Sequence, residues 1–227
     1  MNARTRWTAA WICLLSLSPA CLTGCGGPAQ GSESPEACCL KIKKSIENKD
    51  MGGFYDCLTD ESQDVLVGSM IMMKSMMAMA SAMGGPEAAQ KFAPIDDVME
   101  KHGVTVEAMK AAAPNALTMA EDPASVAEIA DIVADKRAFV AEVYAAMDKA
   151  GQGGDLAGKL NGELKDLKIE GDKATANLVT ADGEEELDFR KTATGWKMHI
   201  DLAKLAAKAG PPRTAIDPSA DPAPVEN

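Results

Sequence analysis

The chain has 227 residues, of which 34 are acidic and 23 basic, a formal charge of -11 with only two histidines. That balance excludes a nucleic-acid binder or a surface held to anionic lipid by charge, since both need a basic face. Aromatic residues are scarce, while 14 methionines and many alanines carry the apolar content, which points to one helix-rich domain with an adaptable core.

The first stretch carries Arg4 and Arg6, then an apolar run from Trp7 through Leu17, with no acidic residue before Glu33. This is the layout of a secretory signal peptide, and the run is shorter than the roughly 20 apolar residues a spanning helix needs. Leu22-Thr23-Gly24-Cys25 follows. These four residues resemble the lipobox of bacterial lipoproteins, with its order of apolar, small, small, cysteine. The resemblance implies a signal peptide over residues 1–24, lipidation of Cys25, and a mature chain held to a membrane through its N-terminal lipid. Two or three acyl chains anchor stably, at about 0.8 kcal/mol per buried methylene. Gly26 stands where an aspartate would typify inner-membrane retention, which implies the periplasmic face of the outer membrane. An uncleaved anchor helix, or ordinary secretory cleavage near Ala20, is the alternative. Loss of residues 1–24 removes two basic residues and no acidic one, leaving a formal charge of -13. Residues 25–36 then read as lipidated cysteine and tether, 37–208 as a single α+β domain, and 209–227 as a disordered tail.

Three cysteines remain for the domain, in a compartment where disulfides persist. Adjacent Cys38 and Cys39 would pair with each other only under strain, so Cys57 is expected to choose one of them. Cys39 shares a helical stripe with Ile42 and Ile46, which favours Cys39–Cys57; three separate thiols are the alternative. The segment lacks the ligands in register for a zinc or other cysteine metal site, and no cofactor is expected.

In chain order, a helix is predicted from Pro35-Glu36 to about Asn48, broken by Lys49-Asp50-Met51-Gly52-Gly53. Phe54, Tyr55, Cys57 and Leu58 make a short apolar turn, and Thr59 caps the next helix. That helix crowds Met70, Met72, Met73, Met76, Met77, Met79 and Met83 between Gly68 and Gly84, in a run too short for a membrane span. Two stripes of thioethers, Met72/Met76 and Met73/Met77, line it. They can fill the core, or form a groove for an apolar ligand or protein partner, or bind Cu(I), which suits soft thioethers. Met73, Met76 and Met77, with Trp196 from the last strand, are the candidate lining of an apolar groove. Gly84-Gly85-Pro86 ends the helix, and short pieces follow around 87–92, 95–102 and 106–113. His102 beside Gly103 reads as a helix cap. Asp122-Pro123 opens what is expected to be the longest helix, running to Gly151 with a broad apolar stripe from Val126 to Met147.

From Leu164 the period becomes alternating. Leu167 and Ile169 are expected inward, then Ala174, Ala176 and Leu178, then Leu187 and Phe189, then Trp196, Met198 and Ile200. Asp182-Gly183 is a hairpin turn signal. Lys197 and His199 fall on the outer face, His199 as a cross-strand partner of acidic neighbours. This predicts a four-stranded antiparallel meander over 164–200, with the helices in 37–162 packed on one face.

Helices first and then such a meander, with Ile42 to Asp50 leading into Phe54 to Thr59, and Gly171-Asp172-Lys173-Ala174 through Phe189-Arg190-Lys191 to Gly195-Trp196-Lys197, resemble the NTF2-like (cystatin-like) α+β superfamily. Enzymes of that superfamily, isomerases among them, place Asp, Tyr or His inside the cone. The inward positions named here are apolar, and neither histidine has a nucleophile visibly beside it, so no catalytic residue is assigned. The expectation is a lipid-anchored envelope protein of non-catalytic, binding or interaction type. A small-molecule isomerase or dehydratase is the alternative, and a Cu(I)-handling protein a remoter one.

Overall fold

A computed structural model describes residues 31–112, 123–154, 160, 162–201 and 204. The signal segment, Cys25 and the tail beyond Lys204 lie outside them. The first described residues already belong to the body. Ser32 pairs with Trp196, its N–H donating to the Trp196 carbonyl at 3.0 Å and its carbonyl accepting from the Trp196 N–H at 2.7 Å. The tether expected to reach residue 36 therefore ends near Gly31.

Helix α1 spans Pro35–Glu47, with Ser34 as N-cap accepting from the Ala37 N–H and proline at the start. Its buried face is Cys38, Cys39, Ile42 and Ile46. Lys49 takes a left-handed conformation (φ 56°) and turns the chain. The expected break through Gly53 stops there, because Asp50 caps a second helix, α2 (Met51–Asp56), accepting from the Gly53 N–H at 2.8 Å. Gly52 and Gly53 serve as space rather than as breakers: a Cβ would meet the Arg137 guanidinium at the first and the Asp50 carboxylate and Ser45 at the second.

Helix α3 runs Asp60–Lys101 from the Thr59 cap, bent at Gly85, whose φ of 71° and ψ of -160° are open to glycine alone. The break at Gly84-Gly85-Pro86 is thus a hairpin tip between two arms, 60–84 and 86–101. The pieces expected at 87–92 and 95–102 form one arm through Pro94. Pro94 forfeits a backbone hydrogen bond, but the arm continues because Ile95 and Met99 are buried against the body. By length and composition α3 would suffice to cross a membrane, contrary to expectation; it instead folds back at Gly85 with its base packed in the core. Helix α4 (Val106–Ala112) follows.

The expected longest helix is two. Helix α5 (Pro123–Glu128) passes into a 3-10 turn (Ile129–Ile132), Val133 is extended, and α6 (Lys136–Lys149) starts from Asp135, which accepts from the Ala138 N–H at 2.9 Å. Ile129, Val133 and Val140 keep helical spacing across the break, so periodicity conceals it. The sequence signal is the Asp135 cap.

Strands β1 (Glu163–Glu170), β2 (Lys173–Thr180), β3 (Gly183–Thr192) and β4 (Gly195–His199) form the predicted antiparallel meander, in the order β1-β2-β3-β4. Ala174, Ala176, Leu178, Phe189, Trp196 and Met198 are buried as expected. Three details differ. A bulge between Lys165 and Lys168, with Asp166 at φ 52°, interrupts the alternation of edge strand β1, and Ile169, on the same face as its buried partner Ala174, is 54% exposed at the sheet edge. Thr180 pairs with Gly183, so Ala181 and Asp182 form the hairpin tip. Lys197 is buried on the supposed outer face, with Asp60 Oδ1 at 3.7 Å from its ammonium. The free edge of β4 is covered by Ser32 and by Leu58, and Gly31 and Gly195 touch where no Cβ would fit. The architecture is α+β: six α-helices and an open four-stranded sheet among the described residues.

Candidate functional site

Fourteen methionines in a chain short of aromatics raise the question of which thioethers face solvent. Along the first arm of α3 the run divides by helical angle. Met70 and Met77 are buried with Val67 and Ile71, Met72 and Met73 are half-buried against the core, and Met76, Met79 and Met83 are 69%, 64% and 84% exposed. Between the two arms and α4 lies a groove of about 600 Å³. Met72, Met77 and Ala78 line it from the first arm, Phe92 and Ala93 from the second, and Met109 from α4. Its size and apolar character are those of a small-molecule site.

One wall of the groove is charged. Lys74, which interrupts the methionine run, has a side chain only 8% exposed and donates to Asp96 Oδ1 at 2.5 Å. Lys74 and Asp96 lie equally far from Gly85 on opposite arms, so the pair clasps the hairpin. Glu100 Oε1 is 3.6 Å from the same ammonium. Lys110 of α4 also lines the groove and has no ion-pair partner among the described residues.

Of the expected lining residues Met73, Met76, Met77 and Trp196, only Met77 lines this groove. Met73 turns toward the core, Met76 faces solvent, and Trp196 is buried in β4 beside Ser32. Of the Met73/Met77 stripe considered for Cu(I), Met73 packs against the core and Met77 is buried at the groove wall. Phe92, Met109 and the clasp escape sequence reading, because they converge only when the chain folds back. The available signal was Lys74 inside an apolar run with Asp96 beyond the Gly-Gly-Pro turn. A smaller cavity of about 300 Å³ between α1, α2 and α6 is bounded by Ile46, Met51 and Tyr144, with the Lys49–Asp148 ion pair (2.7 Å) on its wall.

The two histidines sit in structural networks. His102 ends α3, lies edge-on to Phe139 with ring centroids 5.5 Å apart, and meets Glu142 Oε2 at 3.2 Å. His199 is not the solvated cross-strand partner expected. It stands opposite Asp188, but its Nδ1 is 3.2 Å from Thr59 Oγ1 and 3.5 Å from Ser62 Oγ, with Glu61 at 3.7 Å. Ser62 is fully buried and its Oγ accepts from the Ile200 N–H at 2.8 Å, so this hydroxyl fastens β4 to α3 and is out of a substrate's reach. Burial and then Arg190 hold the His199 pKa below its ordinary 6.5, against Glu61, Asp188 and Asp201, which raise it. The unfolded chain therefore binds this proton more readily than the folded one. The stability contributed by neutral His199 is complete above about pH 6.5, falls as pH drops from there toward the lowered folded value, and levels off beneath it. Urea unfolding of His199→Gln between about pH 7.5 and 5 should show a flatter profile than the wild type. A steeper one would mean that the folded protein keeps this ring charged.

The expected Cys39–Cys57 disulfide is not present: Cys38, Cys39 and Cys57 are three free, buried thiols. Cys38 rather than Cys39 turns toward residue 57, its thiol 3.8 Å from the Cys57 carbonyl, while the Cys57 thiol donates to the Gly53 carbonyl. A helical stripe wide enough to bury both adjacent cysteines does not say which one faces Cys57. Burial, reinforced by Cys57, pushes the Cys38 thiol up to about 12, and burial raises Cys39 and Cys57 as well. Thiolate is the reacting form. Native alkylation at pH 8 followed by peptide mass mapping should leave all three unmodified until denaturant is added; rapid labelling of Cys38 would contradict its burial.

Scans against protein-family models, curated proteins and solved structures found no match to this chain.

Proposed function

We propose that this chain is a lipid-anchored envelope protein of non-catalytic, binding type, built on an NTF2-like body, and that the groove in the α3 hairpin is its ligand site. The observation that carries the binding reading is the groove itself: about 600 Å³ walled by Met72, Met77, Phe92 and Met109, adaptable side chains that mould to apolar guests. The anchoring reading rests on the lipobox-like residues Leu22 to Cys25. Ser32 is fastened to β4, so residues 25–31 would span at most about 25 Å between the lipid and the sheet edge. The base of the hairpin, where Thr59 adjoins Met198, lies next to that tether. The first arm, 25 residues at 1.5 Å each, carries the tip about 37 Å away.

Two measurements test this. Protein extracted from membranes should have a mass starting at Cys25 with acyl chains added, and Cys25→Ala should abolish incorporation of radiolabelled palmitate. A different N-terminus, or palmitate incorporation unchanged in the variant, refutes the anchor. For the groove, the full chain carrying Cys25→Ser, titrated with uncharged decanol, should show saturable binding of one molecule that is lost on Ala78→Trp, which fills the groove. Absence of binding, or binding indifferent to Ala78→Trp, refutes the site.

A further inference from the structure

Resting on that reading of the groove, we propose that its ligand is a single-chain amphiphile with an anionic head, a long-chain carboxylate, whose head pairs with Lys110 and Lys74 and whose chain lies against Met72, Met77, Phe92 and Met109. The apolar lining by itself accepts any greasy molecule. The charged wall is what discriminates.

Four ionisable side chains line the groove: Lys74, Asp96, Glu100 and Lys110. They do not cancel evenly in space. Asp96 is consumed by Lys74 at 2.5 Å, and that contact also clasps the two arms. The Lys74 ammonium has three N–H donors, and only the Asp96 contact is within hydrogen-bond range, since Glu100 stands off at 3.6 Å. A charged side chain that is 92% buried thus keeps donor capacity inside the groove. Lys110 adds a second cation with no partner among the described residues. Glu100, the carboxylate least engaged, is mostly solvent-exposed, so water screens it more than it screens Lys74. An anionic head therefore gains charge-assisted hydrogen bonds at this wall, where a cationic head would have to displace Lys74 from Asp96 or settle for an exposed Glu100. Against an overall charge of -11, a groove lined by two cations and two carboxylates is locally neutral instead of acidic.

The test compares matched chains on the full protein carrying Cys25→Ser: decanoate, decanol and decylamine, each titrated against wild-type groove, Ala78→Trp and Lys110→Glu. Decanoate should bind about tenfold more tightly than decylamine, the size expected for one hydrogen bond to a charged group. Lys110→Glu should abolish or reverse that preference, read as the ratio of decanoate to decylamine affinity within the same variant. Lys110 is exposed and has no ion-pair partner among the described residues, so this variant keeps the fold, which an unchanged urea midpoint verifies. Equal affinities for decanoate and decylamine in the wild type, tighter binding of decylamine, or a preference that survives Lys110→Glu would each overturn the charge selection while leaving the groove standing. Failure of decanol to bind would instead remove the groove reading on which the proposal rests.

Discussion

Phe139→Ala should lower the unfolding free energy by about 3–5 kcal/mol, a large part of the total of a domain this size. Phe139 is fully buried in the first turn of α6, where the Asp135 cap sets the helix against the end of α3. Its ring meets the edge of His102, and one turn later Glu142 receives hydrogen bonds from His102 and Lys101. Those ion pairs are partly exposed and screened, so they cannot substitute for the lost packing. The cavity would open where α6 packs on α3, in a core that also holds Val140, Val143 and Met99 and can collapse only in part. Urea denaturation should show a lower midpoint at an unchanged slope. A loss below about 1 kcal/mol would mean that α6 does not pack on α3 as described.

The second large effect is a reversal of sign. In an exposed helix Gly→Ala stabilises by about 1 kcal/mol, because alanine loses less backbone freedom on folding. Gly68 sits in the first arm of α3, where α5 crosses it so closely that a Cβ would lie 1.7 Å from the Val126 carbonyl oxygen. That oxygen is backbone and cannot swing aside as a side-chain tip would. Gly68→Ala must therefore push α3 and α5 apart, and it should destabilise by about 1–3 kcal/mol or more. A stabilising Gly68→Ala would place α5 elsewhere. The same disturbance should loosen decanol binding only slightly if the groove is held chiefly by the Lys74–Asp96 clasp, nearer the tip.

Much of the fold is legible before any coordinates. The meander follows from alternation in Ala174-Thr175-Ala176-Asn177-Leu178 and from Gly171, Gly183 and Gly195, each at positive φ where a strand begins or a turn closes. Pro35 and Thr59 mark helix starts for local reasons, the proline because its fixed φ suits a first turn and the threonine because its oxygen meets the Ser62 N–H. The misreadings also have local causes. Gly52 and Gly53 look like breakers although their purpose is room for Arg137 and Asp50. The apolar stripe from Ile129 to Val140 keeps its period through Val133, so the Asp135 cap goes unnoticed. Ile169 falls on the expected face, opposite buried Ala174, but β1 is the edge strand and leaves it 54% exposed.

The candidate site was readable only in part. A methionine-rich helix bounded by Gly84-Gly85-Pro86 is a sequence fact, and Met77 as a lining residue follows from it. Which thioethers face a groove, and that Phe92, Met109, Lys110 and the Lys74–Asp96 pair complete it, required the second arm to return antiparallel beside the first. By itself the sequence determined most element types, the Thr59 cap, the strand order and the acidic character, because these depend on interactions spanning a few residues or on composition alone. The tertiary structure alone decided which of two adjacent cysteines turns toward Cys57, that Lys197 and His199 are covered by the start of α3, and that a buried ammonium clasps a hairpin. Those outcomes depend on distances between segments far apart in the chain, set by how the elements pack together and not by the preference of any one of them.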